Sequence, residues 1–472
     1  MIGQIIYREI LENLLSLRFI LSLLLAVSLF ATAGFVFAAK YSQESQDYWK
    51  DTNENLSSLS EQTNRLCDVA RYRQTVYRKP KSLALCTEGF EKYLPNSFRF
   101  NVFSMYIPQV RSRGNFDLGR FSDMDLVFII SMILSFVALI FTYDTICGEK
   151  EAGTLRLILA ASIHRHKILM GKYIGVMLTL GIPLLLGLLV NLLIVISSRE
   201  VMISSGDWLK IFTIVLLSLL YLSIFVLLGM FVSSRTAHSA NSMVILLLVW
   251  VGLVILIPSF GRIISDAARE SPTQAQLQRR LTEADKKIED DRASGKFGRN
   301  AGMFSSDPEK CNPPATARWY NALREAYNQV YEDHLNKMMV PVTFGRSFTR
   351  FSPTVLYQCA SESIAGTGIN RFKSLYQQVK RYQQDLKEYV RSKDAEDPES
   401  LHLLCDHSQA ISDWGVISKK PVSFDTVPKF QERDLALSQS LKLAVWDIGL
   451  LVLFNLVLFA AAFVSFLKYD VR

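Results

Sequence analysis

Six stretches of this chain are too long and too apolar to lie comfortably anywhere but in a bilayer. They cover 19–39, 126–143, 173–197, 211–232, 242–260 and 443–467. A hydrocarbon layer about 30 Å thick needs about 20 such residues in a helix. Backbone N–H and C=O groups find no water at that depth, so each stretch must satisfy its own hydrogen bonds as an α-helix. The shortest, 126–143, carries no charge. The first is longer than the apolar part of a cleaved leader and is preceded by Glu9 and Glu12, so it reads as a retained helix. Half of the 472 residues are hydrophobic and 20% are charged, a mixture explained by apolar spans alternating with ordinary polar regions. The expected fold class is an all-α membrane protein with six transmembrane helices. The surplus of 52 basic over 44 acidic residues is spread along the chain. No basic stripe interleaved with aromatics is present, which argues against a nucleic-acid partner.

Lys and Arg in the short connections set the orientation. With the N-terminus inside, the cytoplasmic pieces hold Arg8, Arg18, Lys150, Arg156, Arg165, Lys167, Lys172, Arg235, Lys468 and Arg472. The short external loop 198–210 offers only Arg199 and Lys210. Both termini are therefore expected in the cytoplasm. Residues 1–18 form an interfacial helix, 144–172 and 233–241 are inside loops, and 468–472 is an inside tail. Two extracytoplasmic regions follow from the same orientation, 40–125 and the larger, mainly helical 261–442.

The six cysteines fit that arrangement. Cys67 and Cys86 share the first external region and are expected to pair in an oxidising compartment. Cys311, Cys359 and Cys405 lie in the second, leaving one unpaired without indicating which, and Cys147 is inside. His402, Cys405 and His407 crowd three ligand types together, but their spacing matches no standard zinc pattern, so no metal is assigned.

The first external region has a polar helical pattern over 48–77 and a short strand-like run near 93–103. In the second, Ser271 and Pro272 read as the start of a helix. Trp319, Leu323, Tyr327 and Val330 recur at helical spacing. So do Phe372, Leu375, Tyr376, Val379, Tyr382, Leu386 and Val390. Such stripes read first as a helical core and second as a Tyr-lined groove.

Two inside segments are more specific. Ile2, Ile5, Ile6, Ile10 and Leu14 form one stripe of an amphipathic helix, opposite Gln4, Arg8, Glu9, Glu12 and Asn13. Such a helix lies in the headgroup plane before the chain turns into the bilayer. The loop between spans two and three carries alternating charge at Glu149, Lys150 and Glu151, then Gly153, Thr154 and Leu155, then an apolar run and the basic stretch His164–Arg165–His166–Lys167.

This loop resembles the first cytoplasmic loop of ABC-2 type transporter permeases, which reads Glu-x-Glu-x-Gly-Thr-Leu, an apolar turn, a basic residue and Gly-Lys. The matching positions are Glu149, Glu151, Gly153, Thr154, Leu155, Arg165, Ile168, Leu169, Gly171 and Lys172. The chain lacks the proline that the family often places before the basic residue. The amphipathic start, the large loop before span two and the run 351–368 are similar to the branch that includes the nitrous-oxide-reductase maturation and gliding-motility permeases. The resemblance implies a multi-pass subunit of the bacterial inner membrane. It would dimerise with a second copy or a paralogous permease and sit on cytoplasmic ABC ATPase subunits. Membrane lipids and a periplasmic or lipoprotein partner complete the expected contacts. Glu149, Glu151, Gly153, Thr154 and Leu155 would be docking positions on the ATPase, with Arg156 and Leu157 extending the surface. No cofactor is expected in this chain; ATP and magnesium would belong to the ATPase.

The chain has no catalytic constellation of its own. A phosphate loop needs Gly-x-x-x-x-Gly-Lys-Ser/Thr, and Gly171-Lys172 has His166 at the first position and Tyr173 at the last. Asp144 and Asp447 would lie at opposite membrane faces, too far apart to share a proton. Asn191, Asp447 and Asn455 are the notable polar groups inside spans and candidate pathway residues; Asn191 and Asn455 read as interhelical ties, and Asp447, within a turn of the outer interface, as snorkelling or paired with an external residue. Two functions remain: the permease half of an exporter, or a subunit transmitting ATP-driven movement to an external partner without passing a substrate.

Overall fold

The computed structural model describes residues 2–110, 124–155, 164–198, 200–268, 272–303, 312–406 and 415–468. Helix α1 (Ile2–Leu14) leads into α2 (Leu17–Gln62), whose first turn is capped by the Ser16 side chain. The apolar run ends near residue 39, yet α2 continues for another 23 residues. No Gly or Pro interrupts it there, and its extension packs on the external region. The separate helix expected from residue 48 is therefore the second half of the first span.

After the short helix α3 (Leu66–Arg71), strands β1 (Gln74–Tyr77) and β2 (Ser97–Phe100) pair antiparallel, with Gln74 opposite Phe100 and Tyr77 opposite Ser97. The remaining spans are α4 (Leu126–Glu151, with a turn at 143–146), α5 (Arg165–Ser197), α6 (Ser205–Arg235), α7 (Ser239–Gly261) and α12 (Leu437–Leu467). With α2 these make six helices long and apolar enough to cross a membrane. Helix α6 is buried nearly all round from Tyr221 to Met230 and is the hub of the bundle.

The part outside the span bundle, called external below by its place in the expected layout, is built from α8 (Gln274–Ala293), α9 (Pro313–Phe348) and α11 (Ile369–Ala395) around the β-hairpin. Helix α8 starts at a capping box made by Thr273 and Gln276, while Ser271 lies outside the described residues. The stripe Phe372, Leu375, Val379, Tyr382, Leu386 and Val390 is core, packed with Phe98, Phe100, Leu335 and Met339. Trp319 and Leu323 pack in a small separate core between α8 and α9 with Ile288 and Phe297.

Helix α10 (Pro353–Ala365) departs from the expected layout, which put all of 261–442 outside the span bundle. Ser352 caps it, Pro353 occupies its first turn, and Gly366 ends it in the left-handed conformation at φ +70°. Eleven of its residues are buried, and Leu356, Tyr357, Ala360, Ile364 and Ala365 belong to the same apolar core as the spans. Two spans are deformed beside it, α4 by a π-helical segment at Ile130–Leu134 and α7 by one at Val251–Leu256. Such segments shift carbonyls out of the helical hydrogen-bond ladder. Nearby hydroxyls reach two of these carbonyls: Tyr221 OH donates to Ser131 C=O at 2.9 Å, and Ser352 Oγ to Leu253 C=O at 2.6 Å.

The expected Cys67–Cys86 bridge is not formed. Both residues are buried free thiols. Cys67 belongs to the external core and Cys86 to the bundle core, where its carbonyl accepts from Val127 N–H. Cys86 lies in the connection between β1 and β2, which leaves the core that holds Cys67 and dips into the bundle core before returning. Cys359 is also a free thiol, Cys405 is buried, and Cys311 lies outside the described residues.

Candidate functional site

One end of the bundle gathers the start of α2, the α4–α5 connection, the start of α7 and the last turns of α6 and α12. We call it the basal end. Helix α1 lies across α5 there because Gly171 and Gly175 leave a flat strip. A Cβ at Gly171 would come within 2.7 Å of Ile5 Cγ2, and one at Gly175 within 2.8 Å of Glu9 Cβ. The buried Lys172 ammonium between these glycines reaches Glu9 at 3.2 Å and Glu149 at 2.9 Å. Burial pushes the Glu9 carboxyl up, with Lys172 pulling against it. The N-terminal helix is thus keyed to both α5 and the loop, which a simple anchor would not require.

Asp144, Glu149, Lys150, Glu151 and Arg165 are each committed to a different element. Asp144 pairs with Arg18 at 2.8 Å, and the same guanidinium donates to Tyr143 OH at 2.8 Å, fixing the start of α2. Lys150 Nζ donates to the carbonyls of Ser234 at 2.6 Å and Thr236 at 3.1 Å, closing the C-terminus of α6. A cation there complements the negative end of the helix dipole. Glu151 accepts from Ser239 N–H at 2.9 Å and Ser239 Oγ at 2.6 Å, capping the N-terminus of α7. Arg165, at the start of α5, donates to Leu467 C=O at 2.7 Å and so reaches the end of α12. Ser233 Oγ accepts from the N–H groups of Ile146 and Cys147. The connection between α4 and α5 therefore holds α1 and the basal ends of the other four spans.

The expected docking residues divide along this line. Glu149 faces Lys172, and Leu155 is buried in the bundle core, so both point into the chain. Glu151 is exposed but spends its oxygens on α7. Gly153 and Thr154 are exposed, and Thr154 Oγ1 donates to Glu149 C=O at 3.3 Å. Gly153 adopts φ +73°, with open space where a Cβ would stand. The reason for glycine is the left-handed backbone, rather than a close approach within this chain. Arg156 and Leu157 lie outside the described residues.

The three intramembrane polar residues are ties between elements. Asn191 Nδ2 donates to Phe30 C=O at 2.8 Å, joining α5 to α2. Asn455 Nδ2 donates to Leu220 C=O at 3.0 Å, joining α12 to α6. Asp447 sits 3.1 Å from Arg350, the residue range that links α9 to α10. His402 meets Asp394 at 3.1 Å and Cys405 is buried, while His407 lies outside the described residues. Among the described residues no group of three or more His, Cys, Asp or Glu is placed to hold a metal. Sequence reasoning named Arg18, Asp144 and Lys150 without giving them a role in this site, although Arg18 and Asp144 directly border apolar runs.

A family model described as ABC-2 family transporter protein matches residues 4–471. The chain is also similar to two proteins named as probable ABC transporter permease protein NosY. It is 40% identical over 57 residues to that of Stutzerimonas stutzeri, and 39% identical over 57 residues to that of Pseudomonas aeruginosa. Each alignment covers 12% of this chain and 21% of the relative, so the chain spans about a fifth of the length of these curated relatives.

Proposed function

The chain belongs to the ABC-2 transporter family, a multi-pass protein of the bacterial inner membrane, and from that premise we propose that it is a permease subunit driven by a separate cytoplasmic ABC ATPase. ATP and magnesium bind the ATPase, and this chain pairs with a second permease copy or a paralogue. Its N- and C-termini and the 144–172 loop face the ATPase. The observation that carries the reading is the basal connection, which exposes Gly153 and Thr154 while tying α1 and every span through Asp144, Glu149, Lys150, Glu151 and Arg165. A push on its exposed turn reaches all the spans together. The contact with the ATPase is expected at Gly153 and Thr154, flanked by Arg156 and Leu157, with Glu149, Glu151 and Leu155 holding that turn in place. In an exporter this movement opens a path outward.

A second reading is favoured by the external part: the subunit passes force to a periplasmic or lipoprotein partner without moving a substrate. Asn191, Asp447 and Asn455 are engaged within the chain. The side chains that α7 turns outward, Val244, Ile245, Leu247 and Leu248, are apolar.

The test replaces exposed turn residues. Thr154→Trp is expected to abolish co-purification of the ATPase and stimulation of its turnover while leaving the thermal midpoint of the purified chain unchanged. Gly153→Asn, which tolerates the left-handed backbone, is expected to keep the fold and report the contact. Normal assembly and stimulation in both Thr154→Trp and Gly153→Asn would remove this surface as the docking site.

A further inference from the structure

We propose that α10 and the two ion pairs beside it form the transmission element between the span bundle and the external helices. This rests on the force-transmitting reading above for its use, and its test needs no ATPase. From the basal contact at Ser234, α6 rises 13 residues, about 20 Å, to Tyr221. There the ring of Tyr221 stacks on Tyr357 of α10, centroids 4.6 Å apart and planes 15° from parallel. Tyr221 OH meets Thr354 Oγ1 at 3.0 Å and Tyr357 OH meets Ser218 Oγ at 2.7 Å, so α10 is bonded to α6 on two levels.

The other end of α10 is held by charge. Arg346, in the last turn of α9, grips Glu362 through both carboxylate oxygens at 2.7 and 2.9 Å. Arg350 reaches Asp447 of α12. Helix α9 then runs outward to Leu335 and Met339 in the external core, and its Asn328 side chain bonds Phe103 C=O and Met105 N–H near the β-hairpin. Every step from Lys150 to the hairpin is therefore a packed helix or a named polar contact.

Helix α10 is also seated, directly or through α6, against the two π-helical segments. The π-helical segments of α4 and α7 offer it the carbonyls of Ser131 and Leu253 through Tyr221 and Ser352. A π segment converts to α-helix by shifting one hydrogen-bond register, which would withdraw those carbonyls and reseat α10. A coupling path requires a demonstrated energetic link, beyond contiguity.

That link is measurable by hydrogen–deuterium exchange on the purified full-length chain in nanodiscs. Arg346→Gln is expected to speed exchange at 340–366 and also at the basal segment 146–153, by about fivefold or more. Arg346→Lys, which keeps the charge, is expected to restore most of the basal protection. In a Tyr221→Phe, Tyr357→Phe background, Arg346→Gln is expected to add nothing at 146–153. Acceleration confined to 340–366, or equal basal effects in both backgrounds, would overturn the proposal. If Arg346→Gln does not fold, Glu362→Gln reads the same pair from the other side. Normal ATPase docking in Thr154→Trp with this coupling intact would sink the proposed docking surface and leave the transmission element standing.

Discussion

Glu151 and Ser239 stand on different helices, yet the Glu151 carboxylate takes both the backbone N–H and the hydroxyl of Ser239, at 2.9 and 2.6 Å. The first turn of α7 is thus capped from outside its own chain segment, where a helix N-terminus would ordinarily use its own preceding residue. Its own N-cap, His238, makes no side-chain cap bond. Glu151→Ala is therefore expected to speed amide exchange over 239–242 and lower the thermal midpoint. Glu151→Gln, keeping one acceptor, should fall between the two. Unchanged exchange in Glu151→Ala would mean that the cap contributes nothing.

Gly229 and Thr142 mark the closest approach of α6 to α4, where an added Cβ would run into the Thr142 hydroxyl. Gly229→Ala is expected to destabilise by about 1–3 kcal/mol, the usual cost of overpacking. Thr142→Ala should recover only part of it in the double variant, because the Thr142 Cβ, 2.6 Å from the added one, remains. Chemical unfolding in mild detergent gives the comparison, and a neutral Gly229→Ala would show that the two helices can separate cheaply.

Mass mapping under non-reducing conditions is expected to find Cys67 and Cys86 as free thiols. Burial raises both thiols, Cys86 the more strongly, so neither should alkylate at neutral pH until the chain is denatured. A Cys67–Cys86 peptide in that map would show that the hairpin folds differently.

Asp125 caps the start of α4, accepting from Phe128 N–H at 2.7 Å and Glu88 N–H at 3.0 Å. Burial outweighs those bonds and pushes the carboxyl from 3.8 to about 7. The folded chain then holds this proton more tightly than the unfolded chain. The resulting stability is complete below the unfolded value and is lost as pH rises through about 7. Thermal midpoints measured across that window should decline with pH, and Asp125→Asn should flatten the decline. An equal slope in the variant would assign it to another group.

The spans were legible because hydrophobicity over about 20 residues is a local property and the bilayer admits almost nothing but helix. The loop from Asp144 to Lys172 was legible as a motif because its residues are close in sequence. Their destinations were not. Which helix end lies beside Lys150 or Glu151 depends on how the spans pack, and no spacing within the loop carries that information. Cys67 and Cys86 looked like a pair for the same reason: proximity in sequence says nothing of a strand connection that leaves one core and enters another. Helix α10 was hidden most completely. Its 13 residues are too few and too polar to read as a span, with Thr354, Tyr357, Ser361 and Glu362 among them. Only the assembled bundle supplies what makes its burial tolerable: Ser218, Tyr221, Arg346 and the carbonyls that two π-helical segments turn toward it. Polarity in the sequence determined where the chain could cross the membrane, and polar groups meeting across helices decided what else could be buried there.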